Sequence, residues 1–331
     1  MDIFEKKILK TSRGYTYTYY VADGDKSLPA LVFQHGWPDH AETFKDVAGP
    51  LHSTKHPIII PDMLGYDGTS KPTNPAEYKW DAMTNDLIEI ISAEGYDKVI
   101  SAGHDWGSIC AARLYNYHPD RVVGLVLLNV AYIAPTREHF DLDGAHAFTK
   151  DVFGNSLFSY WYLFAADDGA AIMKDNVERL YNVMHGTADT MERFFSTPNA
   201  MKDYLLNGRQ EIQLRPYAQD EKFKKDFSDR FRRDGFEAPQ CWYKAVVSNY
   251  QSQAEQQLPE GAEKVTVPVL YIGCKDDGLC RPEAMYQSIQ AGLLPQLEQA
   301  DMIDAAHWVM YEQPAKVVER IEDWLQRNFA K

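Results

Sequence analysis

A short apolar run, Lys98–Ala102, leads into Gly103-His104-Asp105-Trp106-Gly107, and a helix-period stretch, Ser108–Tyr117, leads out. Small residues sit two positions to either side of Asp105. A sharp strand-to-helix turn needs such flanks, because a side chain there collides with neighbouring backbone. The turn lifts its central side chain above a sheet and aims the N–H groups of the following helix at it. Many hydrolytic turns of this shape carry Ser at the centre; here it is Asp. The plainer explanation of Asp105 is a helix cap, so the rest of the chain must decide between the two.

The rest of the chain keeps the same rhythm. Ala30–Gln34 ends in His35-Gly36-Trp37-Pro38. Pro57–Pro61 contains Ile58-Ile59-Ile60 and ends in Asp62, a helix-period stretch covers Trp80–Ala93, and Val122–Asn129 reads as another buried strand. Near-continuous apolar strands separated by helices predict a parallel sheet covered on both faces. After about Tyr132 the rhythm breaks into helices and polar connections, rich in aromatics at Phe158–Phe164. It resumes with a strand at Val265–Ile272, a helix near Glu283–Ala291, a strand near Leu297–Ile303 and a helix near Ala315–Asn328. The expected organisation is a core over 1–132, a helical lid over 133–263 and the second part of the core over 264–331.

A chain of 331 residues suits one large domain or a core with an insertion of this size. The formal charge of −14 argues against nucleic acid or an anionic membrane surface as partner, since both would repel it. Cys110, Cys241, Cys274 and Cys280 form no CxxC pair and no metal-ligand spacing, so they read as isolated reduced thiols. The N-terminus has no apolar signal core. The longest apolar stretch, about Gly124 to Ala134, is shorter than the ~20 residues of a membrane helix. A cytoplasmic protein without a membrane span is the default expectation, and the oligomeric state is not legible.

Two late residues complete a pattern with Asp105 in the chain order nucleophile, acid, histidine. An acid at Asp276 or Asp277 follows the strand ending at Ile272, and His307 follows the strand ending near Ile303. Position relative to the strand favours Asp276. Alone, His307 would read as a surface or core histidine; after the last strand it reads as the general base.

At these residues the chain resembles the soluble epoxide hydrolases, especially the fungal type, over nearly its whole length. His35-Gly36-Trp37-Pro38 is similar to that family's HGxP turn, Gly103–Gly107 to its HDWG elbow and Ala306-His307-Trp308 to its histidine box. The resemblance implies an α/β-hydrolase fold: a mostly parallel central sheet flanked by helices, with an inserted helical lid. It implies a cis Pro38 and an oxyanion hole from the N–H groups of Trp37 and Trp106. It places the residues that activate the epoxide oxygen at Tyr160, with Tyr162 as competitor, and at Tyr243. Its lysine–aspartate pattern, matched by Lys275-Asp276, again favours Asp276 over Asp277. Trp37, Trp106, Phe158 and Trp308 would line the substrate site, with no metal and no cofactor. One departure is Gly65-Tyr66-Asp67-Gly68-Thr69-Ser70, where the family loop has the form GYGxS. Asp tolerates left-handed backbone better than most residues, so the turn is expected to survive.

The chemistry of these residue types agrees. A carboxylate with a reference pKa of ~3.9 is ionised at pH 7 and attacks a strained ring carbon without a base, forming an ester. The leaving oxygen is a poor leaving group unless a donor reaches it, and Tyr hydroxyls, protonated up to ~10, supply one. Water attacks the ester with His307 as general base. A haloalkane or haloacid dehalogenase would use the same Asp, but a halide wants N–H donors and no proton. Trp37 and Trp106 could serve it; tyrosines at both lid positions favour the epoxide. A non-catalytic scaffold that captures a small ligand would have lost one member of this set, and none is missing.

Overall fold

A computed structural model describes Met1 and residues 3–329. Its eight strands, among the described residues, form one sheet: β1 (Glu5–Lys10), β2 (Thr16–Ala22), β3 (Ala30–Gln34), β4 (Ile58–Pro61), β5 (Val99–His104), β6 (Val122–Leu128), β7 (Val269–Ile272) and β8 (Leu297–Gln299). The spatial order is β1-β2-β4-β3-β5-β6-β7-β8. β1 and β2 pair antiparallel with each other, as do β2 and β4; every other pair is parallel.

β3, β4 and β5 are buried at every residue, which is why they read as continuous apolar runs rather than alternating ones. Helices α1 (Lys45–Leu51), α2 (Trp80–Ala93), and α3 (Trp106–Tyr117) cover the first part of the sheet. After β6 the chain makes only helices until β7, running from α4 (Leu142–Phe153), α5 (Trp161–Phe164), α6 (Gly169–Asp175), α7 (Val177–Met184), α8 (Ala188–Ser196) and α9 (Ala200–Asn207) to α10 (Glu221–Asp234), α11 (Cys241–Val247) and α12 (Tyr250–Glu255). A single isolated bridge, Gly186 with Leu214, is the only extended pairing there among the described residues. This is the inserted helical lid. α13 (Tyr286–Gln290), α14 (Val309–Glu312) and α15 (Pro314–Phe329) complete the core. α15 buries Val317, Val318, Ile321, Trp324 and Leu325, the single stripe of an amphipathic surface helix.

Specific polar contacts seat the lid. Trp242 Nε1 donates to the Leu64 carbonyl at 2.9 Å. The Gln251 amide donates to Tyr78 O and accepts from Trp80 N–H. Arg113 on α3 meets Glu255 on α12 at 2.5 Å, with both side chains almost wholly buried. Arg215 reaches Glu312 on α14 at 2.7 Å, and the other Glu312 oxygen accepts the Ala306 N–H at 3.1 Å. A lid arginine is thus two bonds from the residue preceding His307.

The connections after β3 and β5 leave adjacent strands whose onward paths run to opposite sides of the sheet. Open parallel sheets bind ligands at the carboxyl ends of strands at such a switch point. The turns holding Trp37 and Asp105 both lie there.

Candidate active site

Asp105 links β5 directly to α3 with φ +54° and ψ −127°. A side chain at Gly103 would put its Cβ 2.0 Å from Gly107 O, and one at Gly107 would meet Gln34 O at 1.9 Å. The two glycines are therefore required by close backbone approach. Asp105 makes no capping bond to α3. Its Oδ1 instead accepts the Trp37 N–H at 2.8 Å, across to the turn after β3. Gly36 allows that approach, since a Cβ there would lie 2.2 Å from Asp105 Oδ1.

The Trp37–Pro38 bond is cis. His35 braces this turn: its Nδ1 donates to Gly36 O at 2.9 Å and its Nε2 accepts the Met63 N–H at 2.9 Å. That pattern fits the neutral ring, and burial lowers the His35 pKa to about 4. The loop that departs from the family form closes as expected. Asp67 takes φ +33°, and the Gly65 N–H reaches Ser70 O at 2.9 Å.

His307 points one ring nitrogen at each of two carboxylates. Nε2 lies 3.5 Å from Asp105 Oδ2, and Nδ1 lies 2.8 Å from Asp277 Oδ2. The partner is Asp277, not Asp276, which corrects the expectation from position. Asp276 is exposed. The reason lies just past β7, where Lys275 N–H donates to Ile303 O and Asp276 N–H to Ala305 O. In a regular parallel ladder consecutive N–H groups face opposite neighbours. Two in succession on the same neighbour mark an irregularity that slips the alternation by one residue and turns position 277 inward.

Asp277 is fully engaged. Its Oδ2 also accepts the Asn129 amide at 2.8 Å, and its Oδ1 accepts the N–H groups of Leu279 and Cys280 at 3.1 and 3.0 Å. Burial opposes ionisation, but the His307 charge and these bonds outweigh it and hold the carboxyl below its usual range. For His307, burial disfavours the imidazolium, yet the Asp277 charge and the bonds to both carboxylates raise its pKa well above the ordinary value. His104 supports the backbone beneath, with its Nε2 donating to His307 O at 2.7 Å. Trp308 donates Nε1 to Asp39 at 3.0 Å and packs its ring on His307, 4.8 Å between centroids. Those contacts make Trp308 a brace for the histidine.

Tyr160, at the start of α5, and Tyr243, on α11, come together edge-to-face with ring centroids 5.8 Å apart. Tyr243 also meets Trp106 at 5.0 Å and Trp37 at 6.1 Å. For both tyrosines burial, and then charges that include Asp105, push the hydroxyl pKa upward, so both remain protonated donors. The competitor Tyr162 is exposed and gives its hydroxyl to Asp143. Phe158 packs on Trp161 and Phe140, and Trp161 in turn packs on Trp106. Beside Tyr160 opens a pocket lined by Leu163, Phe194, Thr197, Asn199 and Met201.

Three contributors were not legible beforehand: Asn129, which fixes Asp277; Asp39, which holds Trp308; and Cys280, whose Sγ lies 3.6 Å from His307 Nδ1. Asn129 carries one visible signal, an Asn at a strand end, and it takes φ +63° there.

Residues 29–314 match the family described as the alpha/beta hydrolase fold, and the chain belongs to that family. Among curated relatives, a Neurospora crassa epoxide hydrolase is 26% identical over 329 residues, spanning 96% of this chain and 93% of its own. Epoxide hydrolase A of Mycobacterium tuberculosis is 23% identical, with 92% of each chain covered. Bifunctional epoxide hydrolase 2 of Rattus norvegicus is 22% identical over 90% of this chain. This chain spans about half, 52%, of the rat protein's length. Among solved structures, a mutant epoxide hydrolase of Vigna radiata superposes with a TM-score of 0.80 at 21% identity, covering 99% and 100% of the two chains. Epoxide hydrolase A of Mycobacterium thermoresistibile gives 0.78 at 23%, covering 98% of each. The resemblance read from the sequence is borne out, fungal relative included.

Proposed function

We propose that this chain is an epoxide hydrolase that converts epoxides and water to vicinal diols through an ester on Asp105. The observation that carries the reading is the pair Tyr160 and Tyr243, two protonated tyrosines whose rings meet in the lid and which both feel the charge of Asp105. The relatives named epoxide hydrolase support it.

In this reading an Asp105 oxygen attacks a ring carbon in line. The new C–O bond forms as the ring C–O bond breaks, and a tyrosine proton passes to the departing oxygen, which stays on the substrate. The tyrosinate left behind recovers its proton later in the cycle. Forming the ester removes the Asp105 carboxylate as a hydrogen-bond acceptor, one of the influences that raise the His307 pKa. The imidazolium can then release its proton, which returns to the tyrosinate, and the neutral ring is left available as the base. It takes a proton from water, which adds to the ester carbonyl, while Asp277 stabilises the imidazolium. The N–H groups of Trp37 and Trp106 hold the tetrahedral oxyanion. Collapse releases the diol and restores Asp105.

The lid is assigned to 133–263 and the core to 1–132 and 264–331. No described helix is long and apolar enough to cross a membrane. The test is turnover of a simple aryl epoxide beside a matched haloalkane. Diol from the first and no halide from the second is the expected result; halide release without diol would transfer the assignment to a dehalogenase.

A further inference from the structure

Beside the triad lies one thiol that the reaction above does not use, close to two atoms that it does. Cys280 Sγ lies 3.6 Å from His307 Nδ1, and Asp277 Oδ2 lies 2.8 Å from the same nitrogen. One oxygen, one nitrogen and one sulfur thus fall within 4.8 Å of one another. Metal–ligand bonds of ~2.0–2.3 Å place the donors of a tetrahedral zinc site roughly 3–4 Å apart, so this spacing needs little adjustment. The surroundings favour a cation, because Asp105 adds a second carboxylate 3.5 Å from the far nitrogen of His307. The loop is held in place by the Leu279 and Cys280 N–H groups on Asp277. The other cluster of this kind among the described residues, His40, Asp62 and Asp67, is different: Arg233 already occupies Asp67 at 2.7 Å.

We propose that Asp277, Cys280 and His307 form a binding site for a thiophilic divalent cation, Zn2+ or Cd2+, whose occupation disables the triad. A carboxylate, an imidazole and a thiolate select such ions over Mg2+ and Ca2+, which prefer all-oxygen sites. Binding forms bonds from the metal to Oδ2, Nδ1 and Sγ. It releases the thiol proton and the Nδ1 proton to solvent, with no change of oxidation state. The metal takes the place of the Asp277 hydrogen bond to Nδ1, so His307 loses the partner that stabilises its imidazolium. The inhibitory consequence rests on the function proposed above; the site itself does not.

The experiment therefore reads binding and activity separately. Cd2+ added to the reduced, metal-free protein should produce a thiolate-to-metal charge-transfer band at one equivalent. Loss of outer-shell partners alone weakens metal sites 10–100-fold, so removing the sulfur ligand in Cys280→Ser should weaken binding by at least about 100-fold and erase the band. Cys280→Ala serves if the serine variant does not fold, with circular dichroism as the check. Cys274→Ser, the nearby thiol, should keep the band. Zn2+ should suppress epoxide turnover in the unaltered protein, EDTA should restore it, and Mg2+ should do neither. No band, a band that survives in the folded Cys280 variant, a band lost only with Cys274, or a band without inhibition would each overturn the proposal. A metal-free protein that forms the band but does not open epoxides would instead count against the assigned reaction.

Discussion

His307 Nδ1 stands 2.8 Å from an Asp277 oxygen that also accepts the Asn129 amide at 2.8 Å. The carboxylate is held from both sides, so it fixes the ring orientation as well as its charge. Asp277→Asn keeps the shape but offers an uncharged group, and it can present N–H where the imidazole also presents one. Ester hydrolysis should slow by ~10²–10⁴-fold, the usual weight of a positioned base and its orienter. Asp276→Asn should change it by less than about two-fold, the behaviour of an exposed substitution. Pre-steady-state kinetics that resolve ester formation from ester hydrolysis check this, and equal effects of the two changes would contradict it.

Tyr160 and Tyr243 meet edge-to-face, so either can supply a donor when the other is removed. Each single change to Phe should lower the ring-opening rate by roughly one to three decades, the range for losing one transition-state donor. The double change should abolish measurable ring opening, while Tyr162→Phe should leave the rate unchanged because that hydroxyl is bound to Asp143. Burst kinetics with an aryl epoxide make the comparison. A double variant that still opens epoxides would remove the tyrosines from the mechanism.

Asp62 is wholly buried, with one oxygen accepting the Ala41 N–H at 2.8 Å. Burial pushes its carboxyl up to about 7. The native state therefore holds this proton more tightly than the unfolded chain does. The resulting stabilisation is complete below the unfolded value of ~3.9 and is lost as pH rises through about 7, at up to ~1.4 kcal/mol per pH unit. Asp62→Asn removes this dependence. The stability difference between the unaltered protein and the variant should shift against the unaltered protein from pH 5 to 7, then level off above about 8. Denaturant midpoints across that range test it; a difference independent of pH would contradict the shift.

The elements that carry the chemistry were legible because their geometry restricts the residues. Gly103 and Gly107 sit where any Cβ would strike backbone, and β3 and β5 are buried throughout, so the motif and the strands stand out in the sequence. Helix α2 was read at its observed limits because Trp80, Met83, Leu87, Ile90 and Ile91 repeat on one face. Strands β1 and β2 carry no such signal. β1 is an edge strand with exposed lysines, and β2 is buried nearly throughout without an adjacent helix to mark it. The choice of Asp277 over Asp276 depends on two N–H groups that break the ladder after β7, a fact of pairing rather than of composition. Asn129 and Cys280 join the site through contacts 148 and 27 residues apart in the chain; an Asn at a strand end is the one local signal for the first, and the second has none.

The covalent ester on Asp105 is the central claim, and a single turnover in oxygen-18-labelled water tests it most directly. Enzyme in excess over epoxide is quenched after one cycle, and both the diol and the peptide containing Asp105 are weighed by mass spectrometry. If Asp105 attacks the ring and water attacks the ester carbonyl, the first diol carries unlabelled oxygen from the protein. The label then appears in the Asp105 carboxylate. Label in the first diol, with Asp105 unlabelled, would mean that water opens the epoxide directly and that Asp105 is not the nucleophile.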